Sequence, residues 1–174
     1  MITIIFSIIV FCISLLGFWN EGFFNASTFS PSLMKKNLGQ IYFRTAFYSF
    51  FHVDWLHLIV NLMVFIPLGW KIEHTLGQTN YGHIIFYSIV LCPLFSFIRH
   101  INSKNYHSVG ISGITSCFMT LGLFICSSWM FYLAAGTTFA TYFFGKKDWI
   151  AQEVHISGYI LGIILGLLFN NYIL

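Results

Sequence analysis

Charge is what this sequence has least of. Of its 174 residues only 7% are charged, with five acids against eight bases, while 57% are hydrophobic. Soluble domains carry about 25% charged residues and roughly 45–50% apolar ones. An ordinary cytosolic globule is excluded, and so is a disordered chain, whose composition is the reverse of this one. A nucleic-acid binder is excluded too, because no basic run exceeds Lys35-Lys36 or Lys146-Lys147. The cysteines Cys12, Cys92, Cys117 and Cys126 lie in apolar stretches without CxxC spacing. That leaves neither a disulfide framework nor a zinc knuckle. There is no HExxH, and the acids Glu21, Asp54, Glu73, Asp148 and Glu153 are expected in loops or at helix ends. A zinc protease and an intramembrane aspartyl pair therefore lack their parts. What remains is long apolar runs, and they place the chain in a membrane.

A helix needs about 20 apolar residues to cross a hydrocarbon core of roughly 30 Å. Six spans are predicted, at residues 1–19, 56–70, 81–98, 109–127, 129–144 and 150–173. The first has no basic leader and no small-x-small cleavage site before Asn20-Glu21, so it reads as a retained span and not a signal peptide. Residues 20–54 hold Lys35, Lys36, Arg44 and Pro31 among many aromatics, which predicts a structured loop at the interface. The short connections leave no room for a soluble domain. The expectation is an all-α, polytopic membrane protein with one six-helix domain over residues 1–174. No internal repeat and no ring of charges is visible, which disfavours a transporter or a channel.

Polar residues inside spans are costly and point to function. His57 and Asn61, four apart in the second span, share one helix face, with His52 just ahead. Interhelical hydrogen bonding alone would also account for them. Gly110-Ile111-Ser112-Gly113 opens the fourth span, where serine is a preferred helix cap and glycine permits close approach. His155 heads the stripe Gly158, Gly162, Gly166 in the last span, a flank bare enough for a neighbouring helix to pack closely. Together these groups supply what acyl transfer needs. Ser112 would be the nucleophile and His155 the base that takes its proton and returns it to the leaving amine. Asn61, His57 and the Ser112 backbone N–H would face a developing oxyanion. No carboxylate completes a triad, so the arrangement is a Ser–His dyad.

These residues resemble the rhomboid family of intramembrane serine proteases. Phe43-Arg44, His52, Trp55, His57, Asn61, Gly69, Glu73 and Gly77 look like the family's first-loop and second-helix pattern. Gly110-Ile111-Ser112-Gly113 resembles its nucleophile motif, and His155 with Gly158 and Gly162 its last-helix motif. The resemblance implies a six-helix core, an active site below the membrane surface and cleavage of transmembrane substrates near the top of their helices. It implies Ser112 and His155 as catalytic residues, and His57, Asn61 and the Ser112 amide as oxyanion donors. Gly110, Gly113, Gly158, Gly162, His52 and Arg44 would support the site. No cofactor and no metal is implied, and the partners would be transmembrane substrates and the bilayer. One departure stands out: the family's aromatic residue one turn after the serine is here Ser116, which would leave the His155 imidazole without its stacking partner.

The alternative is an inactive rhomboid-like protein that binds transmembrane helices for quality control or trafficking, although such relatives are expected to lose the serine or the histidine. Orientation is contested. The resemblance implies cytoplasmic termini, and the membrane expected is a bacterial plasma membrane. That places Lys35, Lys36, Arg44, Arg99, Lys104, Lys146 and Lys147 in outside loops, with only Lys71 inside, against the positive-inside tendency.

Overall fold

The computed structural model describes residues 1–126, 131, 132, 136 and 152–173. Most of the span expected at 129–144 lies outside the described residues, as do Lys146, Lys147 and Asp148. Among the described residues the architecture is all-α, and the β pairing is confined to an isolated bridge between Phe29 and Ser108.

The first helix, α1 (Ile2–Trp19), is apolar along its 18 residues. The segment after it folds into short helices because polar residues stand at their starts. Asn20 caps α2 (Glu21–Ser27) by accepting from the Phe23 N–H at 2.9 Å. Pro31 opens α3 (Pro31–Met34), where it has no N–H to lose. Asn37 caps α4 (Leu38–Phe47), accepting from Gly39, and a 3₁₀ turn at Tyr48–Phe50 follows. Side-chain oxygens at these caps satisfy N–H groups that a helix start leaves free.

Asp54 caps α5 (Trp55–Leu91) through a 2.7 Å bond from the His57 N–H. A straight helix of 37 residues would be about 55 Å long, well beyond one crossing. It is broken at Gly77, with φ 78° and ψ 163°, a conformation open to glycine and rarely to other residues. The two expected spans at 56–70 and 81–98 thus fall on helical segments separated by this glycine, with no irregular loop between them. Then come α6 (Leu94–His100), α7 (Ser112–Ile125) and α8 (Gln152–Ile173). The fourth span, expected from residue 109, starts as helix at Ser112 because Gly110 has φ 113° and cannot be helical.

Glu73, expected in a loop or at a helix end, stands four residues before the Gly77 break. It lies inside α5, 3% exposed, and its carboxylate accepts from the N–H groups of Ile2 (2.7 Å) and Thr3 (2.9 Å) and from the Thr3 hydroxyl (2.7 Å). A carboxylate at the start of α1 satisfies free donors and opposes the helix dipole. Burial is tolerable because the charge is met on several sides.

The core joins α1, α5 and α7. Phe65 stacks on Phe118 at 5.4 Å and 22°, and Phe6 packs on Phe65. Gly69 lets Tyr81, Thr3 and Phe118 close over it; a Cβ there would collide with the Tyr81 hydroxyl. Outside, Ile8, Met63, Phe86, Ile98 and Leu167 are exposed. Such a belt is a liability in water and suits lipid. Ile2–Trp19, Trp55–His100 and Gln152–Phe169 are long and apolar enough to cross a bilayer. By contrast α7, with 14 residues, extends about 21 Å, short of a core of roughly 30 Å. Its C-terminal end lies beside the α5 break, where Thr75 Oγ1 meets Cys126 Sγ at 3.4 Å.

Candidate active site

Ser112 is the first helical residue of α7, with Ile111 at the cap, one position earlier than the capping role suggested by sequence. The N–H groups of Ser112 and Gly113 belong to the first turn, where no helical carbonyl reaches them. The approach to Ser112 is clamped by the interfacial segment. Phe29 and Ser108 exchange main-chain bonds of 2.9 and 3.1 Å, and the Gly110 N–H donates to the Tyr48 carbonyl at 3.0 Å. Tyr48 and Phe29 are themselves buried against each other, with ring centroids 5.4 Å apart.

Gly110 is required twice over. Its positive φ is one reason; the other is that a Cβ would lie 3.1 Å from His57 Cε1 and 3.3 Å from His57 Nε2. The backbone two residues before Ser112 therefore rests on the His57 imidazole.

The glycine stripe of α8 brings His155 to the same place. A Cβ on Gly113 would sit 2.6 Å from Val154 Cγ1, and one on Gly158 would run into the Gly113 carbonyl and lie 2.9 Å from Ser116 Cβ. One turn on, Gly162 abuts the Cys117 carbonyl and Thr120 Oγ1, and Thr120 donates to the Tyr159 carbonyl at 3.0 Å. Val154 and Gly158 bracket His155, so the turn bearing His155 lies on the turn bearing Ser112. Ser112 and His155 are both half-buried, and no hydrogen bond joins their side chains. Catalytic bonds in unliganded sites are often long and tighten only when substrate arrives.

The remaining expected residues divide. His52 is fully buried, with its ring 4.9 Å from that of His57 in an edge-to-face arrangement. Ser14 Oγ donates to the Phe50 carbonyl at 2.8 Å and meets His52 Nδ1 at 3.0 Å. With the one hydroxyl proton engaged by a carbonyl, that second contact is a bond from His52 Nδ1–H to Ser14. Asn61, 8% exposed, donates through Nδ2 to the His57 carbonyl at 2.8 Å, one turn back on its own helix. One of its two amide protons is thus committed to α5 itself.

Arg44 is not brought to Ser112. It is 6% exposed in α4 and donates to the carbonyls of Thr28 (2.6 Å) and Asn25 (3.1 Å) and to Gln40 Oε1 (2.7 Å). Burial lowers its pKa from the ordinary guanidinium value. Burial, and then the Arg44 charge, also lowers the pKa of His107.

Ser116 is buried beneath Gly158, so the space an aromatic would need on that side is taken by the α8 backbone. Three motifs separated by more than forty residues thus converge on one helix start. The model of the Rhomboid domain matches residues 39–172. The chain belongs to the rhomboid family. It is an integral membrane protein of that family, an all-α bundle by fold. No curated protein matches the chain.

Some residues around this rhomboid site carry no motif and were missed in the sequence. Ser14 in α1 orients His52, and Tyr106 flanks the segment that leads to Ser112. Glu153, in the first turn of α8 and 13% exposed, binds two residues of α6. The signal for Glu153 was available: it stands two residues before His155, the one acid in the last span.

Proposed function

We propose that this rhomboid is an intramembrane serine endopeptidase that cleaves transmembrane substrates near the end of their helix, using a Ser112–His155 dyad. The observation that carries the reading is the convergence at the start of α7: the Gly113–Gly158 contact lays the His155 turn on the Ser112 turn, and Gly110 presses on His57.

The chemistry follows from these positions. His155 takes the Ser112 hydroxyl proton as the oxygen attacks the scissile carbonyl, then returns it to the leaving amine. The developing oxyanion would be met by the Ser112 N–H, His57 and Asn61, at the positive end of the α7 dipole. With one amide proton bonded to the His57 carbonyl, Asn61 has one left to offer. Gly110, Gly113, Gly158 and Gly162 permit the close approach, His52 backs His57, and Arg44 holds the interfacial loop. Hydrolysis would take place below the membrane surface, with water entering from the side of the first loop. No cofactor is required. We read residues 1–174 as one six-helix domain with cytoplasmic termini in a bacterial plasma membrane.

The test is a fluorophosphonate probe with the purified protein, alongside cleavage of a transmembrane substrate in proteoliposomes. Labelling at Ser112 is expected, with Ser112→Ala and His155→Ala each abolishing turnover and the double variant no worse than either. Residual turnover above a few per cent of wild type in Ser112→Ala would remove the serine mechanism. A wild-type protein that is neither labelled nor active would make the chain a non-enzymatic binder of transmembrane helices.

A further inference from the structure

Resting on the protease reading, the inference concerns a polar cluster at the head of α8 that no step of the mechanism uses. Glu153 Oε1 meets Arg99 Nη1 at 3.1 Å and His100 Nε2 at 3.4 Å, both on α6. The His100 ring lies flat on Tyr106, with centroids 3.8 Å apart and planes 7° from parallel. The Tyr106 hydroxyl in turn donates to Ser96 Oγ, also on α6, at 2.9 Å. Tyr106 stands in the segment that enters Ser112, and Glu153 is two residues from His155.

We propose that Glu153, through Arg99, His100 and Tyr106, is a positioning residue that couples the helix carrying the base to the segment carrying the nucleophile. The glycine stripe, from Val154 and Gly158 at the His155 turn onward, sets how closely α8 approaches α7. It makes no hold on the segment that leads into Ser112. A carboxylate anchored to α6 adds that hold, because α6 also holds Tyr106. The segment entering Ser112 is then gripped from two directions: by Phe29 and Tyr48 on one side, and by the Tyr106–His100–Glu153 chain on the other. Arg99 is 61% exposed, so the ion pair adds little to overall stability, and the cluster's contribution lies in alignment. Misplacement of reacting groups by about 1 Å can cost on the order of 10²-fold in rate.

The experiment compares wild type with Glu153→Ala, Tyr106→Leu and the charge exchange Arg99→Glu with Glu153→Arg, all in the same proteoliposomes. Glu153→Ala should lower kcat roughly tenfold with KM and the melting temperature unchanged, and Tyr106→Leu should behave alike. The charge exchange should recover part of the loss. Amide hydrogen exchange over residues 106–113 should quicken in Glu153→Ala, although that residue is on another helix. Unaltered exchange in that segment, or an unaltered kcat in an active protein, would overturn the coupling. Because exchange is read without substrate, an inactive wild type would sink the protease reading while the coupling would still be decided.

Discussion

Gly158→Ala is the sharpest perturbation available to the site. An added Cβ would lie 2.9 Å from Ser116 Cβ and 3.2 Å from the Cys117 nitrogen, and would overlap the Gly113 carbonyl. Carbon–carbon contacts settle at roughly 3.5–4.0 Å. The two helices must therefore part by about 1 Å, set by the Gly113 carbonyl, and the obstacles are backbone atoms and a Cβ, which cannot rotate away. Overpacking of this kind costs about 1–3 kcal/mol. Alanine is better than glycine in a helix by roughly 1 kcal/mol, which offsets part of that cost. Net destabilisation should stay near or below about 2 kcal/mol, a modest fall in melting temperature. Activity should suffer more, because the same separation lifts His155 from Ser112, and a displacement of this size can cost on the order of 10²-fold. Gly82→Ala is the control, since its Cβ would meet nothing nearer than Ile2 Cδ1 at 3.8 Å. The assay is steady-state cleavage in proteoliposomes, paired with thermal denaturation of each variant. If Gly158→Ala kept wild-type kcat, or if Gly82→Ala lost as much, the close-approach argument would be refuted.

Three further outcomes can be checked with the same substrate. His57→Ala should lose on the order of 10²–10³ in kcat as an oxyanion donor, and Asn61→Ala only about tenfold, because Asn61 is half committed to its own helix; equal losses would sink that ranking. Ser116→Tyr should impair folding or activity, because Ser116 is 1% exposed under Gly158; a gain in turnover would show that an aromatic plate is accommodated after all. A reporter fused after Leu174 should be active only on the cytoplasmic side, despite the basic residues in the odd-numbered loops. Arg44 is buried in carbonyl contacts and Lys35 donates to Asn102 Oδ1 at 2.6 Å, so these charges have structural partners and are weak guides to insertion. A periplasmic signal would reverse the orientation.

The all-α membrane character and the family were legible because both rest on spacing, which survives in one dimension: apolar runs of span length, and motifs whose separations match helix turns. Legibility ended where a residue's partner is distant in sequence. Glu73 reads as an acid in a loop or at a helix end, and nothing near it in the sequence shows that it caps a helix some seventy residues earlier. The His57–Asn61 spacing reads as two groups on one face, but nothing in the spacing says that the Asn61 amide turns back on the His57 carbonyl. The missing aromatic at Ser116 reads as a gap beside His155; only the α7–α8 distance reveals that a backbone occupies the ground. Helix starts were misplaced by a few residues for a local reason, since Gly110 looks like helix-compatible apolar context until its φ of 113° is known.

The clamp on the nucleophile segment has a consequence for the order of events during synthesis. Phe29 and Tyr48, which hold Ser108 and Gly110 in place, belong to the part of the chain made first. His57 follows, then Ser112, and His155 last of all. Domains tend to acquire structure from the N-terminus onward as they are made. On the proposed dyad, the segment that carries Ser112 would be made and clamped before His155 leaves the ribosome. Hydrolytic competence would then come late, once α8 packs its glycine flank on α7. Until that helix was in the membrane, a half-made protease would pose no threat to the helices crowded around it.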